Sequence, residues 1–360
     1  MRLFQNIDVY PQYMAQLQKR LPRSSYAEIW AALLHDRFYA VHLLQPVLEG
    51  DSDTMFAVGR DEASQRDWAR AQGMPRRASR RDILLAQIEH HRTEIFYNMD
   101  AMRFDSTFVR ALPGCVRRTI AWRAGPSRNV DFGAHDLIVC NFESILRSYR
   151  AQGWRAAWFA PAFDPVMADY ATAPDRKWDI VFVGSYSRHH RNRAAIVDAL
   201  AGMAKRHRVR ICLQRSLLTQ VADTLPDWMP LLGTHAVPAS IAGVAATPVY
   251  GRDLYALFSG AKIVVNGAID MAGPDRGNMR CWETLGCGAL MLSDQGAYPD
   301  GFEAGRTMQT YGSVPDLVAR IHGLLNEDEA RTRIAEAGHA MIRSRYAKDR
   351  QWRDFQQLVR

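Results

Sequence analysis

Asp179-Ile180-Val181-Phe182-Val183-Gly184 is a short apolar run that ends in glycine. Unbroken apolar residues over one strand length are the pattern of a central parallel strand buried on both faces. A polar stretch follows, Ser185-Tyr186-Ser187-Arg188-His189-His190-Arg191, and leads into a helix through Ile196, Val197 and Leu200. The strand-then-helix order repeats downstream. Val209–Leu213, Lys262–Asn266 and Ala289–Leu292 read as strands; Leu254–Phe258 and Met279–Leu285 read as helices. Ser313 with Asp316 caps a helix through Leu317, Ile321 and Leu324, and further helices run through Ile334–Ile342 and Gln351–Leu358. Alternation of this kind predicts a doubly wound α/β domain.

Upstream the pattern is similar. Thr54–Val58, Glu94–Met99, Val116–Ala121 and Leu137–Cys140 read as strands. Pro11–Leu21, Tyr26–Leu34, Asp61–Gln72, Arg80–His91 and Glu143–Gln152 read as helices, with a capping box at Ser79…Asp82. Two proline-bearing breaks, Pro161–Pro165 and Ala171–Asp175, separate the halves. The expected organisation is a first domain over 1–165, a second over 166–345, and a terminal helix over 346–360 that crosses back to the first.

The 360 residues suit two domains of ordinary size. With 48% hydrophobic and 23% charged residues, the composition is globular. The opening Met1–Asp8 breaks its apolar character early, which does not fit a signal peptide. The five cysteines are odd in number and form no C-x-x-C pair, which argues for free thiols in a reducing, cytoplasmic setting. The net charge is +8, and 41 of the 46 cations are arginine. Guanidinium forks suit phosphate, but no block of five like charges exists to form a nucleic-acid arm. Contact with an anionic membrane surface stays compatible with that charge.

Ligands of open α/β sheets sit beyond the carboxyl ends of the strands. Three loops leave such ends here. The first carries Gly184, Ser185 and Arg188, and the second Tyr250. The third is Asn266-Gly267-Ala268-Ile269-Asp270-Met271-Ala272-Gly273-Pro274-Asp275-Arg276-Gly277-Asn278-Met279, a glycine-rich loop that runs straight into a short helix. Gly277, Asn278 and Met279 would present backbone N–H groups to a diphosphate. Asp275 and Glu283 are eight residues apart, so both can point into one opening, where carboxylates accept hydrogen bonds from sugar hydroxyls.

The stretch from Asn278 to Asp294, NMRCWETLGCGALMLSD, resembles the nucleotide-sugar site of GT-B glycosyltransferases, and within them the CgeB-like group with its N-x-R-x-x-E signature. Residues 179–193 and 250–266 occur in the same order in that group, and 319–352 is similar to its C-terminal helices. The resemblance covers about residues 178–352, and more weakly 140–165. It implies two Rossmann-like domains facing across a cleft, with the donor on the C-terminal one. Glu283 would clasp the ribose, and Asp275, which stands where many members have Glu, would contact the donor sugar. Arg280 and the 277–279 backbone would hold the diphosphate, with Arg188 and Arg215 neutralising charge as it leaves. Neither a metal nor another cofactor is expected. The acceptor would be a glycan, a lipid-linked glycan or a protein bound by the N-terminal domain. There Asp100, at the end of the Glu94–Met99 strand, is a candidate base, as are His35 and Asp36. Base, sugar, acceptor, stereochemistry and oligomeric state stay open. The competing readings are a sugar-nucleotide epimerase of the same fold and a non-catalytic nucleotide or polyanion binder.

Overall fold

The computed structural model describes residues 1–21, 25–172, 175–186, 191–214, 237–267 and 273–360. They form two compact units, Met1–Pro161 with Lys348–Arg360, and Ala162–Ala347.

The first unit is built on six parallel strands: β1 (Leu3–Asn6), β2 (Thr54–Ala57), β3 (Ile95–Asn98), β4 (Arg118–Trp122), β5 (Leu137–Cys140) and β6 (Ala156–Trp158). Their spatial order is β2-β1-β3-β4-β5-β6. The chain reverses its direction of winding between β1 and β3, so a crevice opens at their carboxyl ends. One core layer joins Phe4, Ala57 and Phe96 to Leu84 and Ile88 of the Arg80–His90 helix. That helix opens with the expected capping box: Ser79 accepts from the Asp82 N–H, and Asp82 accepts from the Ser79 N–H at 2.9 Å.

Strands β1 and β6 were not apparent in the sequence. Gln5 and Asn6 make β1 look polar, yet both are fully buried. Gln5 Nε2 donates to the His42 carbonyl and its Oε1 accepts from the Leu44 N–H, each at 3.1 Å. A buried amide with both ends satisfied is tolerated, and only the folded chain shows those partners. β6 is three residues long at the sheet edge, too short for a periodic signal.

The terminal helix Lys348–Leu358 packs within this unit. Lys348 Nζ donates to the Val41 carbonyl, Gln351 Nε2 to the Ala160 carbonyl, and Phe355 lies 5.0 Å from the Tyr97 ring.

The second unit has its own parallel sheet: β7 (Trp178–Ser185), β8 (Val209–Gln214), β9 (Ala245–Ala246), β10 (Ala261–Val265), β11 (Leu290–Asp294) and β12 (Gln309–Tyr311). The order is β12-β11-β10-β7-β8-β9. Counted from β7, this is the 3-2-1-4-5-6 arrangement of dinucleotide-binding sheets, with its switch point between β7 and β10. Ile180 and Phe182 of β7 pack with Ile196, Val197 and Leu200 of the Arg191–Met203 helix, as the apolar spacing predicted. β9 and β12 were not read from the sequence; they are two and three residues long and are recognisable only by their pairing.

Candidate functional site

The switch point of the second unit lies at the carboxyl ends of β7 and β10, with β11 beside them. Asn266 follows β10, and its side chain is committed to protein. Its Nδ2 donates to Ser293 Oγ at 3.1 Å, and its Oδ1 accepts from Asn278 Nδ2 at 3.2 Å. Tyr311 donates to its carbonyl at 2.8 Å. Expected as a donor-binding residue, Asn266 instead ties together the three segments that frame the site.

Gly277 has φ 122°, a conformation open to glycine and strained for other residues. It turns the chain into the Met279–Gly286 helix. Asn278 is the N-cap, yet its side chain makes no capping hydrogen bond, and no acid lies in the first turn. The partial positive charge of this amino end is therefore offset neither by a side-chain cap nor by a first-turn carboxylate. The preceding loop is pinned down. Arg276 N donates to the Ala297 carbonyl at 2.8 Å, Ala297 N to the Pro274 carbonyl at 2.9 Å, and Arg276 pairs with Asp294 at 2.5 Å. Asp275, half-buried, sits on this anchored stretch opposite Ala297.

The structure corrects the expected exposure of Glu283. Its side chain is only 3% exposed, and Arg280 Nη1 reaches its Oε2 at 2.5 Å. One helical turn puts positions i and i+3 on the same face, and on a buried face two opposite charges meet before either meets solvent. Burial raises the Glu283 carboxyl above its ordinary range, and the Arg280 charge works against that rise. Arg280 is itself mostly covered. The pair forms a closed, self-neutralised couple beneath the amino end of the helix. Trp282, the neighbouring position, is core, 5.2 Å from Phe302 and 5.5 Å from Tyr346.

β7 runs through Ser185, so Gly184 and Ser185 are its carboxyl end and not a separate loop. Tyr250 is the buried N-cap residue of the Gly251–Ser259 helix. Arg188 and Arg215 lie outside the described residues.

Sequence reading missed Arg193. It is 8% exposed and spans the switch point: Nη1 donates to Ser185 Oγ at 3.1 Å, and Nη2 donates to the Gly267 carbonyl. A signal existed. Arg193 stands three, four and seven residues before Ile196, Val197 and Leu200, so it lies on the core-facing side of its helix, where an arginine needs a reason.

The first unit has a charged crevice of its own at the ends of β1 and β3. Asn6 Nδ2 donates to Asn98 Oδ1, which also accepts from the Asp100 N–H, both at 3.1 Å. Gly59 N donates to Asn6 Oδ1 at 2.9 Å. These amides hold Asp100, which is 6% exposed and contacts Arg103 Nε at 3.1 Å. Burial, then the neighbouring Asp8, push its carboxyl up to about 7, while Arg103 and Arg60 pull the other way. Asp8 pairs with Arg60 at 2.6 Å. Among the described residues, no three His, Cys, Asp or Glu side chains converge as metal ligands, and no helix is long and apolar enough to cross a membrane.

Comparison with known proteins agrees with this architecture. Residues 214–357 match a family model described as glycosyl transferase-like. The crystal structure of Anabaena Alr3699/HepE in complex with UDP and glucose is similar over 99% of this chain and 98% of its own, with a TM-score of 0.63 at 12% identity. A glycosyltransferase from Rickettsia africae is similar over 99% and 97%, with a TM-score of 0.54 at 10% identity. The sucrose-phosphate synthase of Thermosynechococcus elongatus is similar over 77% and 76%, with a TM-score of 0.52 at 10% identity. No curated protein matches the chain by sequence. The shared fold is GT-B.

Proposed function

We propose that this GT-B chain, whose residues 214–357 match the glycosyl transferase-like family model, moves a sugar from a nucleoside-diphosphate sugar to an acceptor hydroxyl without a bound metal. The observation that carries the reading is the uncapped amino end of the Met279–Gly286 helix at the switch point of its sheet, with Arg280 and Glu283 one turn in. A helix amino end is a ready site for a diphosphate. Uridine is the base we favour, because HepE, which shares the fold end to end, is seen with UDP-glucose.

In this reading the donor exchanges partners with the buried couple. Arg280 turns to the diphosphate and Glu283 accepts from the ribose hydroxyls, so neither charge is left unpaired. Asp275 accepts from a hydroxyl of the donor sugar. The acceptor is a glycan, lipid-linked glycan or protein. Its hydroxyl oxygen attacks the anomeric carbon, Asp100 takes the hydroxyl proton, and the bond from carbon to phosphate oxygen breaks. The charge left on the diphosphate is met by Arg280 and the helix amino end, in the place a cation would otherwise take.

A thermal-shift comparison of UDP, GDP, dTDP and CMP tests the donor half. At a hundred times Kd a ligand adds about 2.7 kcal/mol, enough to raise the melting temperature by several degrees. UDP should shift the chain most, and Glu283→Gln should lose that shift, starting from a melting temperature lowered by the charge left unpaired on Arg280. If no nucleotide raises the melting temperature, or Glu283→Gln keeps the full response, the reading fails. UDP release that occurs only with acceptor present separates transfer from epimerisation of the donor.

A further inference from the structure

The second unit carries another charged cavity, at the opposite end of its strands. It has a volume of about 440 Å³ and lies by the amino ends of β10 and β11, lined among others by Lys262, Gly288 and Leu290. The nucleotide site described above lies at the carboxyl ends of the same strands, so the two are separate.

The lining holds three cations, Arg176, Lys262 and Arg331, against one carboxylate, Glu336. Their described partners neutralise them unequally. Lys262 shares the Asp179 carboxylate with Arg208, both at 3.1 Å. Arg331 reaches Asp328 at 2.5 Å, but that carboxylate is 72% exposed and therefore largely screened by water. Arg176 donates to the carbonyls of Ser259 at 2.5 Å and Gly288 at 2.7 Å, so its described hydrogen-bond partners are neutral. Burial lowers the Arg176 guanidinium below its ordinary range, Cys287 works against that, and the Arg331 charge adds a smaller lowering. Arg176, whose described hydrogen-bond partners are carbonyls, faces this space beside Lys262 and Arg331, and a bound anion would offset the charge that those carbonyls leave unmatched.

We infer that this cavity binds a small phosphomonoester of sugar size at Arg176, Lys262 and Arg331, as a site independent of the donor. The volume lies in the range of small-molecule sites. Thr332, Glu336 and His339 follow one another along one face of the Asp328–Arg345 helix and line the same space, offering hydroxyl, carboxylate and imidazole partners to sugar hydroxyls. A planar fork and a point charge together suit the three terminal oxygens of a phosphomonoester.

Calorimetric titration of the full chain with glucose 6-phosphate and with inorganic phosphate, at low salt, tests the site. One-to-one saturable binding of glucose 6-phosphate is expected, several-fold tighter than that of phosphate. Thr332→Trp, at an exposed helix position, should fill the space and weaken binding at least tenfold, with the melting temperature and the UDP titration unchanged. Glu336→Gln, which removes the one repelling charge, should tighten it several-fold. Absence of saturable heat, competition between glucose 6-phosphate and UDP, or indifference to both substitutions overturns the proposal. Phosphate binding as tightly as glucose 6-phosphate overturns the sugar part. Failure of UDP to bind would bear on the donor reading and leave this site untouched.

Discussion

Asp100→Asn should stabilise the chain at pH 8 while disabling it. Burial and Asp8 push the Asp100 carboxyl from an ordinary 3.8 up to about 7. Between about pH 4 and 7 the folded chain holds this proton, whereas the unfolded chain has released it. Stability from this group is therefore full below pH 4 and is lost as pH rises to 7. At 1.36 kcal/mol for each pH unit separating the two values, the complete loss is roughly 4 kcal/mol. Asparagine has the shape of the protonated acid, keeps an oxygen for Arg103, and never ionises. At pH 4 the variant should match the parent chain. At pH 8 it should be more stable, and a gain of about 2 kcal/mol would raise the melting temperature by about 4–8 °C in a unit of this size. The assay is thermal melting of both proteins at matched ionic strength across pH 4–8. A general base removed from its hydroxyl costs about 10²–10⁴-fold in rate. Transfer by the parent chain should accordingly rise with pH through an apparent pKa near 7, and the variant should lack that limb. Parallel stability curves for the two proteins would show that Asp100 ionises normally and would refute the burial argument. Full activity in the variant would refute its role as base.

Three further substitutions probe the scaffold. Gly338→Ala lies inside a helix, where alanine usually helps, but its Cβ would come 2.3 Å from the Thr307 carbonyl oxygen and 2.9 Å from Leu285 Cδ2. Chemical denaturation should show a loss of about 1–3 kcal/mol, and a gain would contradict the packing described. Gly277→Val meets the positive φ at the turn into the helix; we expect a loss of about 1–3 kcal/mol in stability and weaker UDP binding by calorimetry, and unchanged affinity would remove that turn from the site. Arg193→Met keeps the buried stem but leaves Ser185 Oγ and the Gly267 carbonyl without their donor. A cost of about 2–4 kcal/mol is expected, and hydrogen exchange should rise first in the 184–186 and 266–267 segments.

Much of the scaffold could be read from the chain because the evidence for it is local. The run Asp179–Gly184 announces β7, the spacing of Ile196, Val197 and Leu200 announces the helix laid on it, and Ser79 and Asp82 cap the Arg80–His90 helix as their spacing requires. The turn into the Met279–Gly286 helix was legible for the same reason. Gly277, Asn278 and the helix they open are consecutive in sequence, whereas the missing side-chain cap at Asn278, a residue type that usually caps, is seen only in the structure. Pairing decided the rest. β1 is a strand with buried amides because His42, Leu44 and Asn98, far along the chain, supply their partners. Glu283 is closed off because the face it shares with Arg280 turns inward, and helical spacing alone does not say which way a face looks. The site-bridging role of Arg193 and the raised carboxyl of Asp100 have the same origin. Burial and electrostatic coupling depend on distances between residues remote in sequence, and those distances exist only once both sheets are assembled.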